Sequence, residues 1–351
     1  MSVALRVALD PAVVLDELLR IPSPTGDVEA AAERLTTLAE EAGYETERDA
    51  GGNVVMSWGT GDPSAGIVLL GHLDTVPGDI PVRHRQGRLH GRGAVDAKGP
   101  LAAALAAVSR LQRRDHRPIT VIAACDEEGP SLGARHLCGV VPPAALIVLE
   151  PSGWDTITTG YRGCVRVSAT ITRSSAHHAG PIAGAADCLV DLLAVLRDTV
   201  TGDAERAVDR IQLRVNALSV RDDGDAERAT AGIELRIPIG TTVDDIVHRV
   251  RELMGDGRVV VETACEAVTV SRSNQTARAL ARAVVAAGGR PRYTTKTGTS
   301  DLNVVLPAWR CPAAVYGPGD CTLDHTPHES IDIGELRKGA DVLEVALRAL
   351  R

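Results

Sequence analysis

The chain has 351 residues, which is long for one hydrophobic core because single cores stop growing beyond about 250–300 residues; two domains are expected. Hydrophobic residues make up 44% and charged residues 24%, an ordinary composition for a soluble chain, but aromatics are only 2% and Phe is absent, so the core must be aliphatic. A net charge of −8 excludes a general nucleic-acid binder, and Arg6, Asp10 and Asp16 interrupt the apolar N-terminal stretch before a signal-peptide core or membrane span could form.

A cytoplasmic protein with no membrane partner is therefore expected. The seven cysteines (Cys125, Cys138, Cys164, Cys188, Cys265, Cys311 and Cys321) contain no C-x-x-C pair and, being odd in number, cannot all pair within one chain, which fits reduced thiols.

Asp10-Pro11 followed by Val13, Val14, Leu15, Leu18 and Leu19 predicts a capped amphipathic helix that stops before Pro22. A second helix is expected from Asp27 to Gly43. Apolar runs at Ile67–Leu70, Ile119–Ala124 and Ala145–Leu149, with an alanine-rich helix at Leu101–Leu111 between the first two, predict an α/β layer with a largely parallel sheet. From Val165 the pattern changes to strands at Val165–Thr172, Ile211–Val220 and Ile233–Ile237 and helices at Ala186–Thr199 and Val243–Leu253. After Ser271 come a helix at Thr276–Ala287, a Gly-rich loop and the run Ala313–Tyr316.

The fold class expected is α/β: a catalytic domain built from residues 1–163 and 271–351, with an inserted α+β lid or dimerisation domain at 164–270.

Residues able to hold a metal follow the predicted strands. Ile67–Leu70 runs into His72 and Asp74, Val121–Ala124 into Asp126, Glu127 and Glu128, and Leu146–Leu149 into Glu150; Asp96 closes Gly91-Arg92-Gly93-Ala94-Val95 before a helix. In open α/β sheets the crevice beyond the carboxyl ends of the strands holds the ligand. Carboxylates gathered there repel one another unless cations sit among them, and a mixed imidazole and carboxylate set suits Zn²⁺ or a similar divalent ion, with a bridging Asp suiting two.

Singly, each of these residues reads as a solvated carboxylate or a satisfied histidine. The run Gly91-Arg92-Gly93 with Lys98-Gly99 also permits a nucleotide-binding loop, but lacks both the Gly-Lys-Ser/Thr order and the G-x-G-x-x-G spacing.

Taken together, His72-x-Asp74, Gly-Arg-Gly-x-x-Asp96-x-Lys-Gly, Glu127-Glu128, Glu150 and His325 resemble the M20 metallopeptidases in order and spacing. The stretches from Gly93 to Leu101, Glu150 to Trp154, Gly160 to Gly163, Lys296 to Asp301 and Asp324 to Pro327 look like the amino-group carrier protein hydrolases that release lysine or ornithine. The resemblance covers Pro22 to about Gly334.

It implies two divalent ions per subunit, Zn²⁺ in first place and Co²⁺ as the alternative. Asp96 would bridge them, with His72 and Glu150 on one and Glu128 and His325 on the other. Glu127 would be the general base, taking a proton from the attacking water and returning it to the departing amine. Asp74 would accept the second ring N–H of His72.

The resemblance also implies an oxyanion donor in the inserted module, where register favours His178 over His177, a histidine that in the family often reaches across a homodimer. Arg236 would clamp the substrate carboxylate by its fork, although the acid and proline usual upstream are missing. Asn216, Gly298, Thr299 and Ser300 are further substrate contacts, for which turn chemistry is an equal explanation.

The partner implied is an acidic carrier protein. Between Asp79 and Asp96 there is no acidic residue, while Arg83, Arg85, Arg88 and Arg92 fall there, so this stretch is either a docking patch or a solvated basic loop. Rival readings are another M20 activity on N-acetylornithine or N-succinyl-diaminopimelate, a metallo-carboxypeptidase, and a non-catalytic binding module, the last opposed by the presence of Glu127.

Overall fold

The computed structural model describes residues 8–113, 117–177, 180–200 and 204–350. The chain divides into two compact units, one of residues 1–159, 270–294 and 300–351 and the other of residues 160–269 and 295–299. Among the described residues no helix is long and apolar enough to cross a membrane.

The first unit is built on a central mixed sheet. Glu45–Arg48, Val54–Trp58, Ile119–Ala124, Ile67–His72, Ala145–Val148, Ala313–Val315 and Thr156–Tyr161 lie side by side in that order. The four inner strands from Ile119–Ala124 to Ala313–Val315 run parallel, and antiparallel strands close both flanks. The inner strands are buried at nearly every position, which accounts for their continuous apolar runs.

Register brings their carboxyl ends level: His72 stands opposite Ala124, Leu70 opposite Val148, and Val148 opposite Val315. The residues just beyond these ends therefore meet in one crevice.

Pro11–Leu19 is capped by Asp10, whose carboxylate accepts from the backbone N–H of Ala12 at 3.0 Å. Lys98–Ser109 is buried on every side from Lys98 to Val108. Five of its residues are Ala, and a Cβ on Gly99 would stand 2.3 Å from the Ala94 carbonyl oxygen, so the turn into this helix closes only over glycine.

A small second sheet pairs Arg83–Arg85 with Arg88–His90 and the latter with Ser330–Asp332. It fastens the Gly91–Asp96 loop beside the segment that follows His325.

The second unit is an antiparallel sheet ordered Gln212–Asp222, Ala226–Ile237, Gly163–Ser174 and Arg258–Cys265. Helices Ala185–Val200 and Val243–Met254 cover one face through Leu189, Leu196, Ile246 and Val250. Strand Ala226–Ile237 begins well before the predicted Ile233, because Ala229 and Ala231 continue the inward alternation with side chains too small to read as a strand signal. Strand Arg258–Cys265, helix Asp301–Trp309 and helix Ile333–Ala349 are further elements that the sequence reading did not name.

Candidate metal centre

Five of the sequence-selected residues meet at the carboxyl edge of the parallel strands. His72 ends its strand, Glu127 and Glu128 follow Ile119–Ala124, Glu150 follows Ala145–Val148, and Asp96 sits just before helix Lys98–Ser109. His325 comes from the loop after Ala313–Val315.

The set is organised by the two oxygens of Asp96. Oδ1 faces His72 Nε2 at 3.2 Å, which in turn lies 3.8 Å from Glu150 Oε1. Oδ2 faces His325 Nε2 at 3.0 Å, and that nitrogen is 2.8 Å from Glu128 Oε1. Donor atoms of His72, Asp96 and Glu128 all lie within 4.8 Å of one another.

Tetrahedral donors on one Zn²⁺, with bonds of about 2.0–2.1 Å, stand about 3.4 Å apart. The observed separations of 2.8 to 3.8 Å bracket that value, so the donor set fits a divalent metal.

Electrostatics agree. Burial opposes charging of His72, yet Asp74, Asp96 and Glu127 outweigh it and hold its pKa well above the ordinary histidine value. Hydrogen bonds to Asp96 and Glu128 raise His325 to about 10. The carboxylates thus demand positive charge, which divalent ions would supply while engaging the same Nε2 atoms.

Glu127 Oε2 is 4.0 Å from His72 Nε2. Burial pushes its carboxyl well above the usual carboxylate range, with Glu150, Asp301 and Glu128 adding to the shift and His72 opposing it. A raised carboxyl holds a proton more readily than an ordinary carboxylate, as a proton carrier must.

Asp74 acts differently from expectation. The ring N–H at His72 Nδ1 donates to the Asp74 backbone carbonyl at 2.8 Å, whereas the Asp74 carboxylate is 3.6 Å from that nitrogen, beyond hydrogen-bond range. The carboxylate instead accepts the backbone N–H groups of Glu127 and Glu128, both at 3.1 Å, and the Thr25 hydroxyl at 2.8 Å. It is occupied by the Glu127-Glu128 turn because Asp126, with φ of 61°, aims both amides back at it. Asp74 therefore orients His72 through its main chain and the two glutamates through its side chain. His325 also has a positive φ, 60°, a conformation that histidine tolerates better than most residues.

The motif around Asp96 is explained residue by residue. Gly93 has φ of +88°, and a Cβ there would meet Thr75 Cγ2 at 2.9 Å. Buried Lys98 donates to the carbonyls of Leu18 and Ile21, both at 3.0 Å, and burial lowers its pKa to about 8. Half-buried Arg92 and buried Glu329 form an ion pair at 2.9 Å.

The basic stretch is not the broad patch the sequence allowed. Arg88 donates to Ser330 Oγ and O at 3.1 and 2.7 Å, Arg92 is turned inward, and His84 pairs with Asp16 at 2.8 Å. Arg83 and Arg85 remain exposed.

In the second unit Arg236 donates to Glu234 at 2.8 Å and to Thr299 Oγ1 at 3.0 Å, so two of the substrate candidates are joined. Asn216 lies exposed at the irregularity between Val215 and Ala217 in strand Gln212–Asp222. A Cβ on Gly298 would meet nothing within 4 Å. In the first unit the Ser300 hydroxyl caps helix Asp301–Trp309, which commits it locally. His178 lies outside the described residues; His177 is exposed.

Asp301, within the Lys296 to Asp301 stretch, is a buried carboxyl whose two oxygens have no hydrogen-bond partner among the described residues, and burial raises it to about 7. Thr25, Arg92 and Glu329 also serve the centre and were not selected. Arg92 and Glu329 act on main-chain groups and Thr25 on the Asp74 carboxylate, tasks that leave no residue-type signal.

Residues 68–349 match the description of peptidase family M20/M25/M40. The chain belongs to that family. It is 37% identical to the [LysW]-lysine hydrolase of Deinococcus radiodurans, with 96% of each chain covered, and 35% identical to a putative [LysW]-lysine/[LysW]-ornithine hydrolase of Aeropyrum pernix, covering 99% of this chain and 96% of that one. An M20 family metallo-carboxypeptidase from Sulfolobus solfataricus has a similar fold, with a TM-score of 0.80 at 16% identity over 97% of this chain and 99% of that one. Aminopeptidase PepT from Bacillus cereus gives 0.79 at 19% identity over 97% and 98%. These two likenesses concern the fold.

Proposed function

We propose that this M20 hydrolase cuts the amide that joins lysine, or ornithine, to the terminal glutamate of an amino-group carrier protein, using two Zn²⁺ ions, with Co²⁺ as a functional substitute. The observation that carries the reading is the division of donors between the two oxygens of Asp96, with Glu127 beside them, in a chain with full-length similarity to hydrolases of that name.

His72, Asp96 and Glu150 would hold one ion and Asp96, Glu128 and His325 the other. Such ions supply Lewis acidity and bring water to a nucleophilic state near neutral pH. Glu127 takes the proton of the attacking water, and its raised pKa lets it carry that proton to the departing amine. Arg236, steadied by Glu234 and Thr299, clamps the carboxylate of the released amino acid, with Asn216 and Gly298 as further contacts. The seven free cysteines fit a reducing, cytoplasmic setting.

Purified enzyme loaded with Zn²⁺ or Co²⁺ and given carrier-linked lysine, carrier-linked ornithine, N-acetylornithine and N-succinyl-diaminopimelate should release amino acid from the carrier alone. In the same assay Arg236→Lys, which keeps charge but loses the fork, should raise KM about 10- to 100-fold, the loss expected for a charge-assisted hydrogen bond. Turnover of a small acyl substrate in place of the carrier would assign the enzyme to a neighbouring M20 activity.

The second unit acts as lid and dimerisation domain. Strand Gln212–Asp222 is an edge exposed along most of its length, with Leu218 60% and Val220 54% accessible, and such edges are normally covered. In the homodimer, His178 serves the partner's oxyanion. Inactive Glu127→Gln and His178→Ala proteins, mixed and allowed to exchange subunits, should then regain activity that neither has alone; a monomer by sedimentation, or no recovery, would reject the crossed arrangement.

A further inference from the structure

Glu329 is buried to 1% accessibility, and all of its side-chain bonding is directed at the loops that carry the metal-type residues. Oε1 accepts the backbone N–H of Val95 at 2.9 Å and that of Asp96 at 3.1 Å. Oε2 accepts from Arg92 Nη1 at 2.9 Å. The same Nη1 donates to the carbonyl of Thr326, next to His325, at 3.1 Å, and Nε donates to the Gly78 carbonyl at 3.1 Å.

Two side chains thus link the Asp96 loop to the His325 loop, which are 229 positions apart in sequence. The small sheet holds the same segments in register, with Ser330 opposite His90 and the Gly91 N–H on the Glu329 carbonyl. An ion pair with one partner buried is a poor device for stability, because desolvation offsets much of the attraction. This one is spent on main-chain groups flanking two facing donors, and outer contacts of that kind set ligand orientation and metal affinity.

We propose that the Arg92–Glu329 pair is a positioning strut: it fixes the reach from Asp96 Oδ2 to His325 Nε2 and so sets the affinity of the half-site formed by Asp96, Glu128 and His325. The inference rests on the metal-binding reading of those three residues. Neither Arg92 nor Glu329 touches a reacting atom.

The test is calorimetric titration of metal-free wild-type, Glu329→Gln and Arg92→Lys proteins with Zn²⁺, followed by activity at rising metal concentration. Glutamine keeps the volume and one acceptor but drops the charge; lysine keeps the charge but cannot reach Glu329, Thr326 and Gly78 together. In both variants one of two ions should bind about 10- to 100-fold more weakly, and excess metal should restore kcat with KM near wild type. A merely structural role would lower the melting temperature without rescue by metal.

Should Glu329→Gln fail to fold, Arg92→Lys, the milder change, decides alone. Wild-type affinity for both ions in the folded variants, or lost activity that excess metal does not restore, overturns the strut while leaving the metal centre in place. No ion uptake by the wild-type protein would instead reject the metal reading, and the strut with it.

Discussion

Glu127→Gln should lower kcat by about 10²–10⁴-fold, the usual worth of a positioned general base, with metal binding close to wild type. Glutamine matches the shape of the side chain but cannot take a proton. Glu127 stands 4.0 Å from His72 Nε2, outside the two donor groups, so its carboxylate is not needed to hold either ion. Its burial among Glu150, Glu128 and Asp301 makes the neutral amide easy to accommodate, and the variant should melt no earlier than the wild type. Single-turnover release from carrier-linked lysine, beside a Zn²⁺ titration, separates the two effects. A rate loss below about tenfold would remove Glu127 from the proton-transfer role.

Asp96→Asn should do the opposite, damaging metal binding first. Both carboxylate oxygens are engaged, Oδ1 toward His72 and Oδ2 toward His325. An amide offers one oxygen and one NH₂, so one half-site loses its shared ligand and faces a hydrogen-bond donor instead. At least one ion should be lost, with an affinity drop exceeding the roughly 10- to 100-fold typical of an outer contact. Metal analysis after gel filtration reads this directly, and retention of two tightly held ions would show that Asp96 does not bridge.

The contrast between residues that sequence could select and those it could not has a physical basis. Metal ligands and proton carriers come from a few residue types, among them imidazole and carboxylate, and a parallel sheet delivers such groups at strand ends, so His72, Glu150 and the Glu127-Glu128 pair stood out beside their apolar runs. Supporting residues are chosen by reach. Glu329 binds two backbone amides and Thr25 one carboxylate oxygen, tasks that a sequence does not mark. The basic stretch shows the same limit: Arg88 and Arg92 looked like surface charge, but pairing of Arg88–His90 with Ser330–Asp332 turns both toward backbone carbonyls. Strand Ala226–Ile237 was under-read for another reason, since its inward Ala229 and Ala231 contribute little hydrophobic signal.

The scarcity of aromatic residues has a practical consequence for following this protein as it unfolds. Its three tryptophans, Trp58, Trp154 and Trp309, all belong to the first unit. Trp58 and Trp309 are buried, and Trp154 lies under the Lys338 ammonium at 3.5 Å. Tryptophan emission therefore reports on one unit and is silent on residues 160–269. A single sharp fluorescence transition would be no evidence of all-or-none melting, which requires probes that agree; far-ultraviolet circular dichroism, to which the second unit's four long strands contribute, has to be recorded beside it.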